Sequence, residues 1–122
     1  MSRLMKNILI VEDEKKIREL YVKLLKQLGV PFGHVFEAEN AVVATSILGE
    51  QKIHLMLLDI NLPAIDGIIL YDVIKKYSKD VDIVIASVYP VERQREICPG
   101  AKDYYDKSQG PHALLEKLTH LI

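Results

Sequence analysis

The 122-residue chain is 49% apolar and 27% charged, the size and composition of one soluble globular domain that can build a core without disulfide or metal staples. Sixteen basic against seventeen acidic residues leave a formal net charge of −1, which offers no basic surface to nucleic acid or to an anionic membrane. One cysteine, Cys98, excludes an internal disulfide and fits a reducing, cytoplasmic setting, and no apolar run has the length of a signal-peptide core or a spanning helix.

The first apolar run, residues 8–11, reads as a strand buried on both faces and ends on the acidic cluster Glu12, Asp13, Glu14. Ile17, Leu20, Tyr21, Leu24 and Leu28 then recur at helical spacing among Lys, Arg and Glu, and Gly29 and Pro31 stop that helix. Residues 35–38 form a second strand, nearer the sheet edge because Glu37 and Glu39 accompany its apolar residues. Asn40 is placed to cap a helix carrying Ala41, Ala44, Ile47 and Leu48, with Gly49 ending it.

Residues 54–67 organise the rest of the chain. An apolar run ends on Asp59, and a loop punctuated by Pro63 and Gly67 follows at once. Asp59 therefore closes a central strand at its carboxyl end, where open α/β sheets hold their sites. Asp66 is placed to cap a helix whose apolar face is Leu70, Val73, Ile74 and Tyr77. Residues 81–86 form a fourth strand ending at Ser87. Residues 89–100 make the weakest helix in the chain, with prolines at 90 and 99 and only Val91, Ile97 and Cys98 as apolar anchors; residues 92–96 read as a solvated face. Residues 102–106, with Tyr104 and Tyr105, form a fifth strand closed by Lys107. Leu114, Leu115, Leu118, Leu121 and Ile122 mark a last helix with Pro111 in its first turn.

Five alternations of strand and helix predict an α/β fold: a three-layer, doubly wound, five-stranded parallel sheet with right-handed crossovers. The strand order 2-1-3-4-5 is taken over from known doubly wound folds rather than read from the pattern, and it makes strands one and three neighbours. Glu12, Asp13 and Asp59 then converge at one rim. Three carboxylates in contact raise one another's pKa unless a cation joins them, and an all-oxygen set of this kind suits Mg²⁺. A carboxylate beside such an ion is a competent nucleophile toward a phosphoryl group. Lys107 and Ser87 close strands five and four, so the rim also gains a positive charge and a hydroxyl donor for phosphoryl oxygens.

With these residues in place, the chain resembles a response-regulator receiver domain of two-component signalling, over essentially all of residues 1–122. The motifs that carry the likeness are the acidic pair Glu12-Asp13, Asp59 with the Leu62-Pro63…Asp66-Gly67 loop, Ser87, Tyr104 and Lys107. The resemblance implies a flavodoxin-like receiver fold with Asp59 as phosphoacceptor. It implies Mg²⁺, or Mn²⁺ in its place, held by Glu12, Asp13, Asp59 and the backbone carbonyl of Asn61. Ser87 and Lys107 would stabilise the phosphoryl group, and Ser87 and Tyr104 would form the switch, Tyr104 rotating inward. The implied donor is a histidine kinase or a histidine phosphotransfer protein, and the implied output a downstream protein or output domain. No dedicated enzymatic activity, nucleic-acid contact or membrane contact is expected of residues 1–122.

Three positions depart from that pattern. Ser108 follows Lys107 where a cis proline is usual, and a cis bond without proline costs about 3–4 kcal/mol, so a trans bond is expected. Val88 replaces a small residue and either narrows access to the site or adds a core contact. The interval from Ser87 to Lys107 is about two residues short, so the fourth helix should be short, irregular or mobile. These departures sustain an alternative, a pseudo-receiver that binds partners without phosphorylation. A phosphatase of the haloacid-dehalogenase type would need an acid-base Asp where Asn61 stands.

Overall fold

Strands whose residues are apolar on both sides have no face to offer water, so they must lie between two layers of helix. The computed structural model, which describes residues 5–29, 31–62 and 66–122, has this arrangement. The elements run β1 (Ile8–Val11), α1 (Lys15–Lys26), β2 (Val35–Ala38), α2 (Ala41–Glu50), β3 (Leu55–Asp59), α3 (Asp66–Tyr77), β4 (Asp82–Ser87), α4 (Val91–Ile97), β5 (Asp103–Asp106), a 3-10 turn (Lys107–Gln109) and α5 (Pro111–Leu121). All strand pairs are parallel, in the order β2-β1-β3-β4-β5, as expected. The central strands β1 and β3 are buried throughout, and β2, with Glu37 exposed, forms one edge.

Side chains alternate across the sheet, so each strand feeds two separate cores. Leu9, Val11, Met56, Leu58, Ile83, Ile85 and Tyr104 pack under α2, α3 and α4. Ile8, Ile10, Leu55, Leu57, Val84, Ala86 and Tyr105 pack under α1 and α5.

Several expectations are corrected. Gly49 does not end α2; it lies inside a helix that continues to Glu50, while Asn40 caps the start by accepting from the Val43 amide at 2.9 Å. On α3 the core face is Leu70, Tyr71 and Ile74, whereas Val73 (46% exposed) and Tyr77 (73%) face solvent. Tyr71 replaces them inside because its hydroxyl reaches the Pro99 carbonyl at 2.6 Å, which satisfies its one polar atom. Pro63, and the side chain of Asp66 proposed as a cap, lie outside the described residues; Asp66 opens α3.

The fourth helix is short but regular. Pro90 precedes it and Pro99 follows its C-cap Cys98, so it is confined between two residues that cannot extend it. Its residues 92–96 are not simply a solvated face, because Gln94 is wholly buried.

Two glycines give opposite tests of this packing. A Cβ on Gly67 would lie 2.6 Å from the Ile60 Cα and 2.8 Å from the Asp59 carbonyl oxygen, so only glycine lets α3 rest on the backbone that carries Asp59. Gly49 has nothing within 4 Å. In urea denaturation, Gly67→Ala is expected to lower stability by about 1–3 kcal/mol through overpacking. Gly49→Ala should raise it by about 0.5–1 kcal/mol through helix propensity.

Candidate functional site

The alternation that divides the core also sorts the polar groups at the carboxyl rim. Glu12 continues the face of Ile8 and Ile10, Asp59 that of Leu55 and Leu57, and Lys107 that of Tyr105, all on the side of α1 and α5. Register brings them level. Val11 pairs with Leu58, so Glu12 emerges beside Asp59, and Ser87 pairs with Asp106, the residue before Lys107.

Lys107 lies between the two buried carboxylates. Its Nζ donates to Glu12 Oε1 at 2.9 Å and to Asp59 Oδ2 at 3.1 Å, with the carboxylate side chains 1% and 3% exposed. Burial alone would lower the Lys107 pKa; hydrogen bonding to Glu12 and the charge of Asp59 outweigh it and raise the pKa instead. Asp13 is exposed, and its pKa is raised first by its interaction with the Glu12 carboxyl and then by partial burial. Carboxylate oxygens of Glu12, Asp13 and Asp59 lie within 4.8 Å of one another.

Backbone and α1 hold these groups in place. The Asn61 amide donates to Asp59 Oδ1 at 2.8 Å, and the Glu14 amide to Glu12 Oε2 at 3.2 Å. Arg18 on α1 donates to the Glu12 carbonyl at 2.8 Å and the Asp13 carbonyl at 3.4 Å, while its Nε pairs with Glu37 on β2. Arg18 was not singled out from the sequence, where it reads as one more charge on an amphipathic helix.

The Lys107–Ser108 bond is trans, since the described residues contain no cis peptide. Lys107 nevertheless reaches Asp59. The Asp106 side chain accepts from the Ser108 amide (2.9 Å) and hydroxyl (2.7 Å), and this cap starts the 3-10 turn that aims Lys107. Val88 is 64% exposed, so it is not an added core contact.

Ser87 belongs to the other face. It continues the line of Ile83 and Ile85, and its hydroxyl donates to the Asn61 side-chain carbonyl at 2.6 Å, which also accepts from the Val88 amide. Tyr104 lies on that same face and points inward, 3% exposed. Its hydroxyl donates to the Cys98 carbonyl at 2.6 Å and accepts from the Ala101 amide, with the Arg95 guanidinium 4.8 Å above its ring. The rim therefore brings Glu12, Asp13, Asp59 and Lys107 together and holds Ser87 and Tyr104 apart from them. Gln94 is the polar residue overlooked in the sequence; it occupies the i+3 position after Val91 and precedes Cys98 by four, which is a core position.

Among the described residues the donor set is three carboxylates with no sulfur or imidazole in it, which suits a hard divalent cation. Three carboxylates against one ammonium leave room for its charge.

A family model described as response regulator receiver domain matches residues 8–119. The phosphate regulon transcriptional regulatory protein PhoB of Pseudomonas aeruginosa is 36% identical over 121 residues, covering 96% of this chain and 52% of that protein. The chain thus spans about half the length of this curated relative. Among solved structures, response regulator TrrA of Thermotoga maritima in complex with Mg²⁺-BeF superposes with a TM-score of 0.82 at 33% identity, covering 97% of this chain and all (100%) of that one. TrrA in complex with histidine kinase ThkA gives a TM-score of 0.81 at 33% identity, covering 97% of this chain and 99% of that one.

Lys107→Met leaves two buried carboxylates facing each other without a cation. In metal-free urea denaturation it is expected to cost about 3–5 kcal/mol. Adding Glu12→Gln should restore part of that loss, a non-additivity that a double-mutant cycle measures directly.

Proposed function

The chain belongs to the response regulator receiver domain family, and on that premise we propose that it is a phosphorylation-dependent signalling switch with Asp59 as phosphoacceptor. One observation carries the reading: Asp59 ends β3 buried, within 4.8 Å of Glu12 and Asp13 and 3.1 Å from the Lys107 ammonium. Residues 1–122 act as one receiver domain in this reading.

Asp59 Oδ attacks the phosphorus of a phosphohistidine on a histidine kinase or phosphotransfer protein. The P–O bond forms as the P–N bond breaks, and the imidazole leaves and takes up a proton. Both carboxylate oxygens are held, Oδ1 by the Asn61 amide and Oδ2 by the Lys107 ammonium, which fixes the orientation of the nucleophile. Lys107 reaches a phosphoryl oxygen without leaving the site, since its amine already touches Oδ2.

Mg²⁺, or Mn²⁺, would be held by Glu12, Asp13, Asp59 and the Asn61 carbonyl, and when bound it supplies charge neutralisation to the incoming phosphoryl group. Ser87 must exchange its bond to Asn61 for one to the phosphoryl group, which makes it the first mover of the switch. Tyr104, already inward, reports that movement through its surroundings rather than by swinging in from solvent.

No dedicated catalytic activity is assigned. Asn61 carries a neutral amide where a hydrolase would need an acid-base carboxyl, which supports slow loss of the phosphoryl group. The kinase complex of the similar TrrA supports a histidine kinase as donor. The greater length of the PhoB relative supports an output domain or downstream protein as recipient. A reducing, cytoplasmic location fits the single buried Cys98.

Incubation with acetyl phosphate and Mg²⁺, followed by intact-mass measurement, tests this reading. Wild type is expected to gain one phosphoryl group and Asp59→Ala none. A wild type that gains nothing would leave only the phosphorylation-independent binding module.

A further inference from the structure

Gln94 has no part in the carboxylate chemistry, yet it is wholly buried at 0% exposure in a seven-residue helix whose other polar residues face water. Its amide nitrogen spends both protons on carbonyls of two different elements. It donates to Tyr89 in the β4–α4 loop at 2.8 Å and to Tyr105 in β5 at 3.0 Å. Two carbonyls at these distances require donors, which fixes the orientation of the amide. Its Oε1 is then left buried with no hydrogen-bond partner. A buried acceptor without a donor is rare and disfavours the state that contains it.

The loop that Gln94 grips is the one that carries Ser87. The Tyr89 amide donates to Ser87 Oγ at 3.0 Å, and Ser87 Oγ donates to Asn61, which lies beside Asp59. Ser87, Tyr89, Gln94 and Tyr105 therefore form one chain of hydrogen bonds from the rim to the edge strand. Tyr104 offers no competing route by rotation from solvent, since its ring is already inside and its hydroxyl is tied to Cys98 and Ala101.

We propose that Gln94 is a positioning residue that couples the Ser87 loop to β5. Resting on the reading of Asp59 as phosphoacceptor, the coupling works as a two-state exchange. Ser87 leaves Asn61 for the phosphoryl group, the Tyr89 carbonyl shifts with the loop, and the Gln94 amide carries the shift to the Tyr105 backbone and the outer face of α4. The Gln94 Oε1 has no partner to hold it in this arrangement, so the amide is anchored to the loop and to β5 through its nitrogen alone.

Amide NMR of the whole chain with Mg²⁺ and beryllofluoride, a phosphoryl mimic, tests the coupling. In wild type the backbone signals of Asp59 and Ser87 are expected to move together with those of Tyr104 and Tyr105 and with the side-chain amide of Gln94. In Gln94→Met the rim should load with affinity within about twofold of wild type, while the shifts at Tyr104 and Tyr105 fall by about threefold or more. Full shifts in β5 of the loaded variant overturn the coupling. If the variant does not fold, wild type decides alone: a loaded rim with an unmoved Gln94 side-chain amide overturns it. Signals of Asp59 and Ser87 that do not respond in wild type overturn the phosphoacceptor reading, and the coupling with it.

Discussion

The Lys107 ammonium between Glu12 and Asp59 is the contact on which the rim depends. Two carboxylates at 1% and 3% exposure have lost most of their hydration and face each other closely, and the ammonium between them offsets both the lost hydration and the repulsion. Lys107 supplies that cation from the far edge of the sheet, β5, to residues on β1 and β3. The order of the strands, the 3-10 turn capped by Asp106 and the trans bond to Ser108 all serve to bring one amine across that distance. Lys107 balances one of three negative charges and leaves the remainder to attract a divalent ion.

Much of this was legible in the sequence, for a definite reason. Buried parallel strands write themselves as apolar runs, so β1, β3 and β4 and their closing residues Glu12, Asp59 and Ser87 stand out without any structure. The alternation of the runs with amphipathic stretches implies the layers. The order of strands is not written in any local pattern, because the crossover helices look alike whichever strand they lead to.

Two of the failures share a cause: side-chain chemistry overrode the apolar count. Tyr71, with a hydroxyl, goes inside because Pro99 offers an acceptor, while the more apolar Val73 faces solvent, as does Tyr77. Gln94 goes inside because two backbone carbonyls need a donor there, although its neighbours Arg93 and Arg95 make the segment read as solvated. Gly49 stays helical because its surroundings are empty and it needs no special dihedral. Pro99 lies 28 residues from Tyr71, and the Tyr105 carbonyl 11 residues from Gln94 on another element, so the local apolar pattern registers neither partner.

The two faces of the sheet divide the work. Glu12, Asp59 and Lys107 lie on the side of α1 and α5, while Ser87, Tyr104 and Gln94 lie on the side of α2, α3 and α4. A charge change at Asp59 must therefore cross the plane of the sheet before it can alter the second face. Among the described residues, Asn61 is the one that hydrogen-bonds to both Asp59, through its amide, and Ser87, through its side chain. An aspartate at this position would keep the amide bond but place a charge against the Val88 and Ser87 donors, strengthening their hold. A neutral amide holds Ser87 more weakly, which is what the proposed exchange of Ser87 onto a phosphoryl group requires. Asn61 thus suits the proposed switch twice over, by the charge it lacks and by its reach to both Asp59 and Ser87.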